Sequence, residues 1–214
     1  RNRYRKIQNE VEAIDLEFLG KDLPKLLNSM RVGAERIREI VQSLRNFSRL
    51  DEAEMKPVDL HEGLDSTLMI LQHRLKMKPD CPQVELIKQY GNLPLVECYA
   101  VQLNQVFMNI LANALDAVDD RDRQRTAQEM QLHPSQIQIC TEMIDASQVR
   151  IRISDNGNGV PEEIQPRLFD PFFTTKPVGK GTGLGMSISY QIVVDKHGGA
   201  LYCNSMPGQG AEFV

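Results

Sequence analysis

The chain is 214 residues long, with 25 Lys and Arg against 29 Asp and Glu, a net charge of −4, no Trp and 6% aromatic residues. That balance argues against nucleic acid as a partner, because neither basic runs for a phosphate backbone nor rings for stacked bases are present. At 41% hydrophobic residues a packed core is expected, while no apolar run approaches the ~18 residues of a bilayer span and Arg1–Lys6 leads into no signal-peptide core, so no membrane contact by this segment is expected.

The first segment is helical. Ile7, Val11, Ile14 and Phe18 recur at helical spacing, and Gly20 to Pro24 interrupts them, with Asp22 a candidate N-cap and Pro24 tolerated in a first turn. Leu27, Met30, Ala34, Ile37, Val41 and Leu44 then form an a/d seam, widened by Leu26, Gly33, Ile40 and Phe47. Such a wide seam suits a four-helix bundle. A helix over 24–50 is roughly 40 Å long and one over 1–19 about 28 Å. Run antiparallel, they leave Ile40 to Phe47 without a partner from this chain. A homodimer through this hairpin is the expectation; a helical lid on the second domain is the alternative. The hairpin is assigned to residues 1–55 and the second domain to 56–214, divided at the polar run Asp51 to Pro57.

Further along, Asp59-Leu-His-Glu62 reads as a helix start, and Leu60, Leu64, Leu68, Leu71 and Leu75 as its buried stripe. Strands are expected at Val84–Tyr90 and Leu93–Val96, a long helix at Ala100–Val118, and a solvated loop at Asp119–Arg125. Ile137, Ile139 and Thr141 alternate against Val149, Ile151 and Ile153 as a hairpin. A last helix over Leu184–His197 is expected to stop at Gly198-Gly199, flanked by strands at Ala200–Asn204 and Ala211–Val214. This is an α+β sandwich: helices on one face of a mixed, mostly antiparallel sheet. Cys81, Cys98, Cys140 and Cys203 form no C-x-x-C pair; free thiols in a reducing, cytoplasmic setting are expected.

Three features carry chemistry. On the helix 100–118, about 100° per residue places Gln102, Gln105, Asn109, Asn113 and Asp116 within roughly 80° of arc, away from the apolar face. Solvated faces favour Lys, Glu and Arg, whereas neutral oxygens one turn apart suit a Mg²⁺ shell completed by phosphates and water. Second, Ser154-Asp155-Asn156-Gly157-Asn158-Gly159 follows a strand. An acid there can accept from the exocyclic amine of adenine and would repel the carbonyl oxygen of guanine; the bland reading is a D-N-G turn. Third, Lys176 to Ser187 is glycine-rich and feeds a helix N-terminus, which makes either a phosphate cradle or a flexible loop. It matches neither the dinucleotide fingerprint nor a P-loop.

In order and spacing these segments resemble the sensor histidine kinases. Gln105–Ala117 (QVFMNILANALDA) is similar to their N box, Asp155–Gly159 (DNGNG) to the G1 box, Leu168–Lys176 (LFDPFFTTK) to the F box and Gly181–Gly185 (GTGLG) to the G2 box. Gly208 to Phe213 resembles the closing glycine hairpin, and Gly33–Ser48 the second dimerisation helix. The resemblance implies ATP and Mg²⁺ as ligands. It makes Asn113 the magnesium asparagine, with Asn109 beside the phosphates and Asp116 on the same face. It makes Asp155 the adenine-reading carboxylate, with Gly157 and Gly159 its turn. It places Phe169, Thr175, Lys176 and Lys180 in the ATP lid, where Lys176 or Lys180 reaches a phosphate. Gly181, Gly183 and Gly185 become the phosphate loop, with Thr182, Leu184 and Ser187 beside it.

The wider family also includes members that hydrolyse ATP or phosphorylate serine, and these resemble one another in a Glu four residues before the magnesium asparagine. This chain has Asn109 there. A neutral imidazole needs no such base, so histidine is the expected acceptor. None of His61, His73, His133 and His197 sits in the family's acceptor pattern, and the acceptor is expected upstream of Arg1. The implied function is the catalytic core of a two-component histidine kinase feeding a response-regulator receiver domain. An ATP-hydrolysing clamp and a non-catalytic ATP-binding dimerisation module are the alternatives.

Overall fold

Leu60, Leu64, Leu68, Leu71 and Leu75 are all buried, and this stripe seats the first of the helices that cover one face of a sheet. The computed structural model describes residues 22–31, 34, 54–76, 82–176 and 183–214. Most of the expected hairpin, together with Lys180, Gly181 and Thr182, lies outside the described residues. The chain divides into two units, Arg1–Gln42 and Ser43–Val214. In the first, residues 22–31 are helical, Asp22 pairs with Lys25 at 3.1 Å, and Leu23, Leu26, Leu27 and Met30 are exposed.

The second unit begins with strand β1 (Lys56–Val58), helix α1 (Leu60–Ile70) and the short α2 (Gln72–Leu75). The Asp59 carboxylate caps α1 by accepting from the His61 N–H at 2.8 Å. Then come β2 (Glu85–Tyr90), β3 (Val96–Cys98), the long α3 (Ala100–Asp122) and α4 (Ala127–Leu132). The strands β4 (Gln136–Met143) and β5 (Val149–Asp155) form the expected hairpin. Helix α5 (Gly185–Tyr190) widens into a π turn at Gln191–Lys196, and β6 (Cys203–Met206) and β7 (Gly210–Phe213) close the chain.

The main sheet runs β2-β4-β5-β7-β6. Only the β2–β4 pair is parallel, so the mixed, mostly antiparallel reading holds. Ile137 pairs with Asp155 and Ile139 with Ile153. On the helix-facing side, Ile137, Ile139 and Ile153 join Val106, Phe107, Ile110, Leu111, Ala114 and Val118 of α3 in one core. The two-residue period then carries Asp155 onto that same side. A carboxylate thus ends an otherwise apolar row, and this register is what positions the site.

Four expectations are corrected. The last two residues of the polar run, Lys56 and Pro57, belong to β1, which pairs with β3 in a two-stranded sheet; such an edge tolerates the missing proline N–H. The strand expected at Leu93–Val96 forms instead at Val96–Cys98, where β1 supplies the partner. Helix α3 continues through Asp119–Asp122, because Arg74 bonds Asp119 at 3.1 Å and Ser135 bonds the buried Asp122 at 2.7 Å. After it comes the unpredicted α4, opened by a capping box between Thr126 and Glu129. Among the described residues no helix is long and apolar enough to cross a membrane.

Candidate functional site

The polar face of α3 borders a cavity of roughly 580 Å³, a size suited to a small-molecule ligand. Asn109, Asn113 and Asp116 line it from α3. Asp155 lines it from the end of β5 and Gly159 from the loop that follows, Thr175 and Lys176 from the segment 171–176, and Gly183 and Gly185 from the approach to α5 and its first residue. All three sequence features therefore converge. Gln102 and Gln105, which share the helical arc, do not line the cavity: they lie a turn or more before Asn109, where Gln105 is exposed.

Asp155 is 8% exposed. Burial pushes its carboxyl up to about 6, against the opposing effect of the backbone N–H groups of Gly157 and Ala211. The Gly157 N–H donates to Asp155 Oδ1 at 2.8 Å. A Cβ on Gly157 would stand 2.7 Å from Ala117 Cβ and 2.8 Å from Asp155 Oδ1, so only glycine lets this turn pack on α3. Gly183 has φ +67, and a Cβ there would stand 2.4 Å from the backbone carbon of Phe172.

Along α3, Ala117 touches Gly157 beside Asp155, and Asn109 touches Gly185 at the glycine-rich end. At a rise of 1.5 Å per residue these two contacts lie about 12 Å apart, with Asn113 midway. The cavity thus has an end built on a buried carboxylate and an end built on amides and helix-start backbone.

Asn109 Nδ2 donates to Gly185 O at 2.9 Å and to Ser189 Oγ at 3.1 Å. That fixes its flip and ties α3 to α5. At Asn113 the carbonyl oxygen accepts from Lys176 Nζ at 3.0 Å, and the same ammonium reaches Asp116 Oδ2 at 2.5 Å. Arg74, on α2, donates to Asp116 Oδ1 at 2.6 Å and to Asp119. Burial works to raise the Asp116 pKa, but hydrogen bonds from Lys176 and Arg74 outweigh it and hold the carboxyl below its ordinary value.

Four expected nucleotide contacts do not line the cavity: Gly157, whose backbone instead supports Asp155, and Phe169, Ser187 and Leu184. Phe169 packs on Tyr190 with ring centroids 5.3 Å apart and does not line the cavity. Ser187 is buried and its hydroxyl donates to Leu184 O at 3.0 Å, an internal bond within the first turn of α5. Leu184 itself is the residue preceding α5 and is not in the lining. Conversely, sequence reasoning missed Arg74, because nothing in the spacing of α2 shows that it meets α3. Met186, Ala211 and Phe213 also line the cavity; the sequence places them only within an expected helix and an expected strand.

Comparison with known proteins now decides the family. The sequence model described as "Histidine kinase-, DNA gyrase B-, and HSP90-like ATPase" matches residues 98–214. The chain belongs to this family. Within it, the chain is 33% identical over 208 residues to the signal transduction histidine-protein kinase AtoS of Escherichia coli, covering 97% of this chain and 30% of that one. It is 34% identical over 198 residues to the sensor kinase CckA of Brucella abortus, covering 89% of this chain and 20% of that one. The chain therefore spans a third or less of the length of these relatives. Among solved structures, the nucleotide-free catalytic domain of the histidine kinase ThkA superposes with a TM-score of 0.59 at 26% identity, over 75% of this chain and 92% of that one. The segment matched by the family includes α3, Asp155 and the glycine loop, and every residue that lines the cavity lies within it.

Proposed function

We propose that residues 56–214 bind Mg·ATP in this cavity and transfer the γ-phosphoryl group to a histidine of a helical bundle formed by two copies of the chain, for relay to a response-regulator receiver domain. The observation that carries this reading is the convergence of Asp155, Asn113, Lys176 and the backbone at Gly183 and Gly185 on one cavity. Kinship with sensor kinases supports the acceptor, the dimer and the receiver partner, and the exposed Leu26, Leu27 and Met30 support a bundle seam.

A divalent ion fits the residues present. Among the described residues no group of three or more His, Cys, Asp or Glu side chains is placed to hold a metal, which suits an ion held mainly by phosphates. Asn113 Oδ1 and Asp116 Oδ2 already share a cation, the Lys176 ammonium. Hard neutral and anionic oxygens of this kind suit Mg²⁺. When bound, Mg²⁺ would be held by Asn113, with Asn109 beside it, and would neutralise charge on the phosphates.

The chain's own residues then do the following. Asp155 accepts from the adenine amine and turns guanine away. Lys176 moves from its seat toward the phosphates, and the Gly183–Gly185 backbone at the start of α5 lies alongside them. Asn109 holds α5 against α3 through Gly185. An imidazole acceptor offers a lone pair to phosphorus, so no general base is required on α3. The amide at Asn109 suits this acceptor better than water, and it weighs against the reading as an ATP-hydrolysing clamp.

The test is a labelling assay with γ-labelled ATP on the protein carrying its acceptor segment. Acid-labile, alkali-stable phosphoryl-protein is expected, and Asn113→Ala abolishes it. Steady phosphate release without labelled protein selects the clamp. Nucleotide binding with neither outcome selects the non-catalytic module.

A further inference from the structure

We infer that Arg74 is a positioning residue for the metal–phosphate end of the cavity, acting through Asp116. The inference rests on the Mg·nucleotide reading given above. Arg74 lies on α2, outside the residues 98–214 matched by the family, and touches no residue of the adenine end. Its guanidinium reaches three positions of α3: Ala112 O at 3.5 Å, Asp116 Oδ1 at 2.6 Å and Asp119 Oδ2 at 3.1 Å. Those positions are spaced four and three residues apart, one face of a helix. The Arg74 side chain is 23% exposed, against 35% for Asp116 and 18% for Asp119, so the pair is only partly screened by water.

The fork matters because Asp116 has two oxygens and both are engaged. Arg74 takes Oδ1, which leaves Oδ2 aimed at Lys176, whose ammonium also sits on Asn113 Oδ1. Anchored at Oδ1 by Arg74 Nη2 and at Oδ2 by Lys176, the carboxylate is held in its present rotamer from both sides. Without Arg74, Asp116 loses its anchor at Oδ1, and the oxygen that faces the cation position beside Asn113, filled by the Lys176 ammonium here, is no longer fixed. Arg74 thereby orders a cavity that it does not itself line.

This role separates from two others by direction. If Arg74 acted only as a positive charge near phosphates, removing it would weaken nucleotide binding, whereas removing the negative charge of Asp116 would strengthen it. If it acted only to hold the fold, every ligand would weaken together. Positioning through Asp116 makes both substitutions weaken Mg·ADP and leaves the adenine end untouched.

The test is calorimetry on the full chain with Mg·ADP and, separately, with adenosine. Arg74→Gln weakens Mg·ADP about tenfold and changes adenosine affinity less than twofold. Arg74→Lys, which keeps the charge and loses the fork, falls between, near threefold. Asp116→Asn weakens Mg·ADP in the same direction, and the double variant is no more than twofold worse than the weaker single. Equal loss of adenosine and Mg·ADP in Arg74→Gln and Arg74→Lys overturns the inference, as do losses that add in the double variant or an Asp116→Asn that binds more tightly. Wild-type chain that binds adenosine but gains nothing from Mg²⁺ and phosphates overturns the metal–nucleotide reading itself, and this inference with it.

Discussion

Asp155 and Gly157 are joined by a 2.8 Å hydrogen bond from backbone N–H to carboxylate, and a Cβ on Gly157 would enter the space between that carboxylate and Ala117. The bond and the missing side chain together hold a buried acid at the end of a strand while the backbone packs on α3.

Gly157→Ala follows directly. The added methyl meets Ala117 Cβ at 2.7 Å and the Ala117 backbone carbon at 2.8 Å, and neither is the end of a flexible side chain. A loss of about 1–3 kcal/mol of stability is expected from this overpacking, together with loss of adenosine binding. Chemical denaturation and calorimetry check the two effects.

Asp155 sets a pH dependence whose sign is fixed by its raised pKa. The native carboxyl, pushed up to about 6 from an ordinary 3.8, keeps its proton in the fold where the unfolded chain has released it. The contribution of Asp155 to the stability of the unliganded protein therefore falls as pH rises from about 4 to about 6, by up to about 3 kcal/mol, against the opposite slope of Asp116, whose carboxyl is held below its ordinary value. Asp155→Asn removes that slope and is more stable than wild type at pH 8, yet fails to bind adenosine. Urea unfolding of wild type and Asp155→Asn at pH 4 and pH 8 decides it; a wild type that does not lose stability relative to Asp155→Asn as pH rises contradicts the burial argument.

Ser135→Ala tests the extension of α3. The hydroxyl is 1% exposed and bonds Asp122 Oδ1 at 2.7 Å, where Arg125 also reaches at 3.2 Å. Removing it leaves part of a buried carboxylate unsatisfied, at a cost of about 1–3 kcal/mol. Hydrogen exchange is expected to speed up at residues 119–122 and to stay slow at 106–115.

Asn109→Glu probes whether a carboxylate at that position confers hydrolysis. Here the side chain must donate to Gly185 O and Ser189 Oγ, and a carboxylate has no proton to give. Two acceptors would face each other at Gly185. Loss of stability of about 1–3 kcal/mol is expected, with no gain in phosphate release from ATP in a steady-state assay.

Much of this was legible in the chain itself. The leucine stripe of α1, the α3 wheel and the β4–β5 alternation follow from periodicity, because burying one face of a helix or strand demands it. The capping box at Thr126 and Glu129 is equally local, lying just past the charged run. His61 illustrates the reverse case: it stacks on Tyr90 with centroids 4.3 Å apart and bonds Thr141 Oγ1 at 2.8 Å, partners that no local spacing announces.

Residue types and their order by themselves determined that amides, an acid and glycines exist at intervals suited to a nucleotide, since those intervals are a matter of helix pitch and strand period. Only the tertiary structure decided which of them share a cavity. It turned Ser187 and Phe169 inward, brought Arg74 from a separate helix onto Asp116, and lengthened α3 through charges that look solvated when read alone. Charge pairing across elements depends on where chains meet, and that is set by packing of the core rather than by neighbours in the sequence.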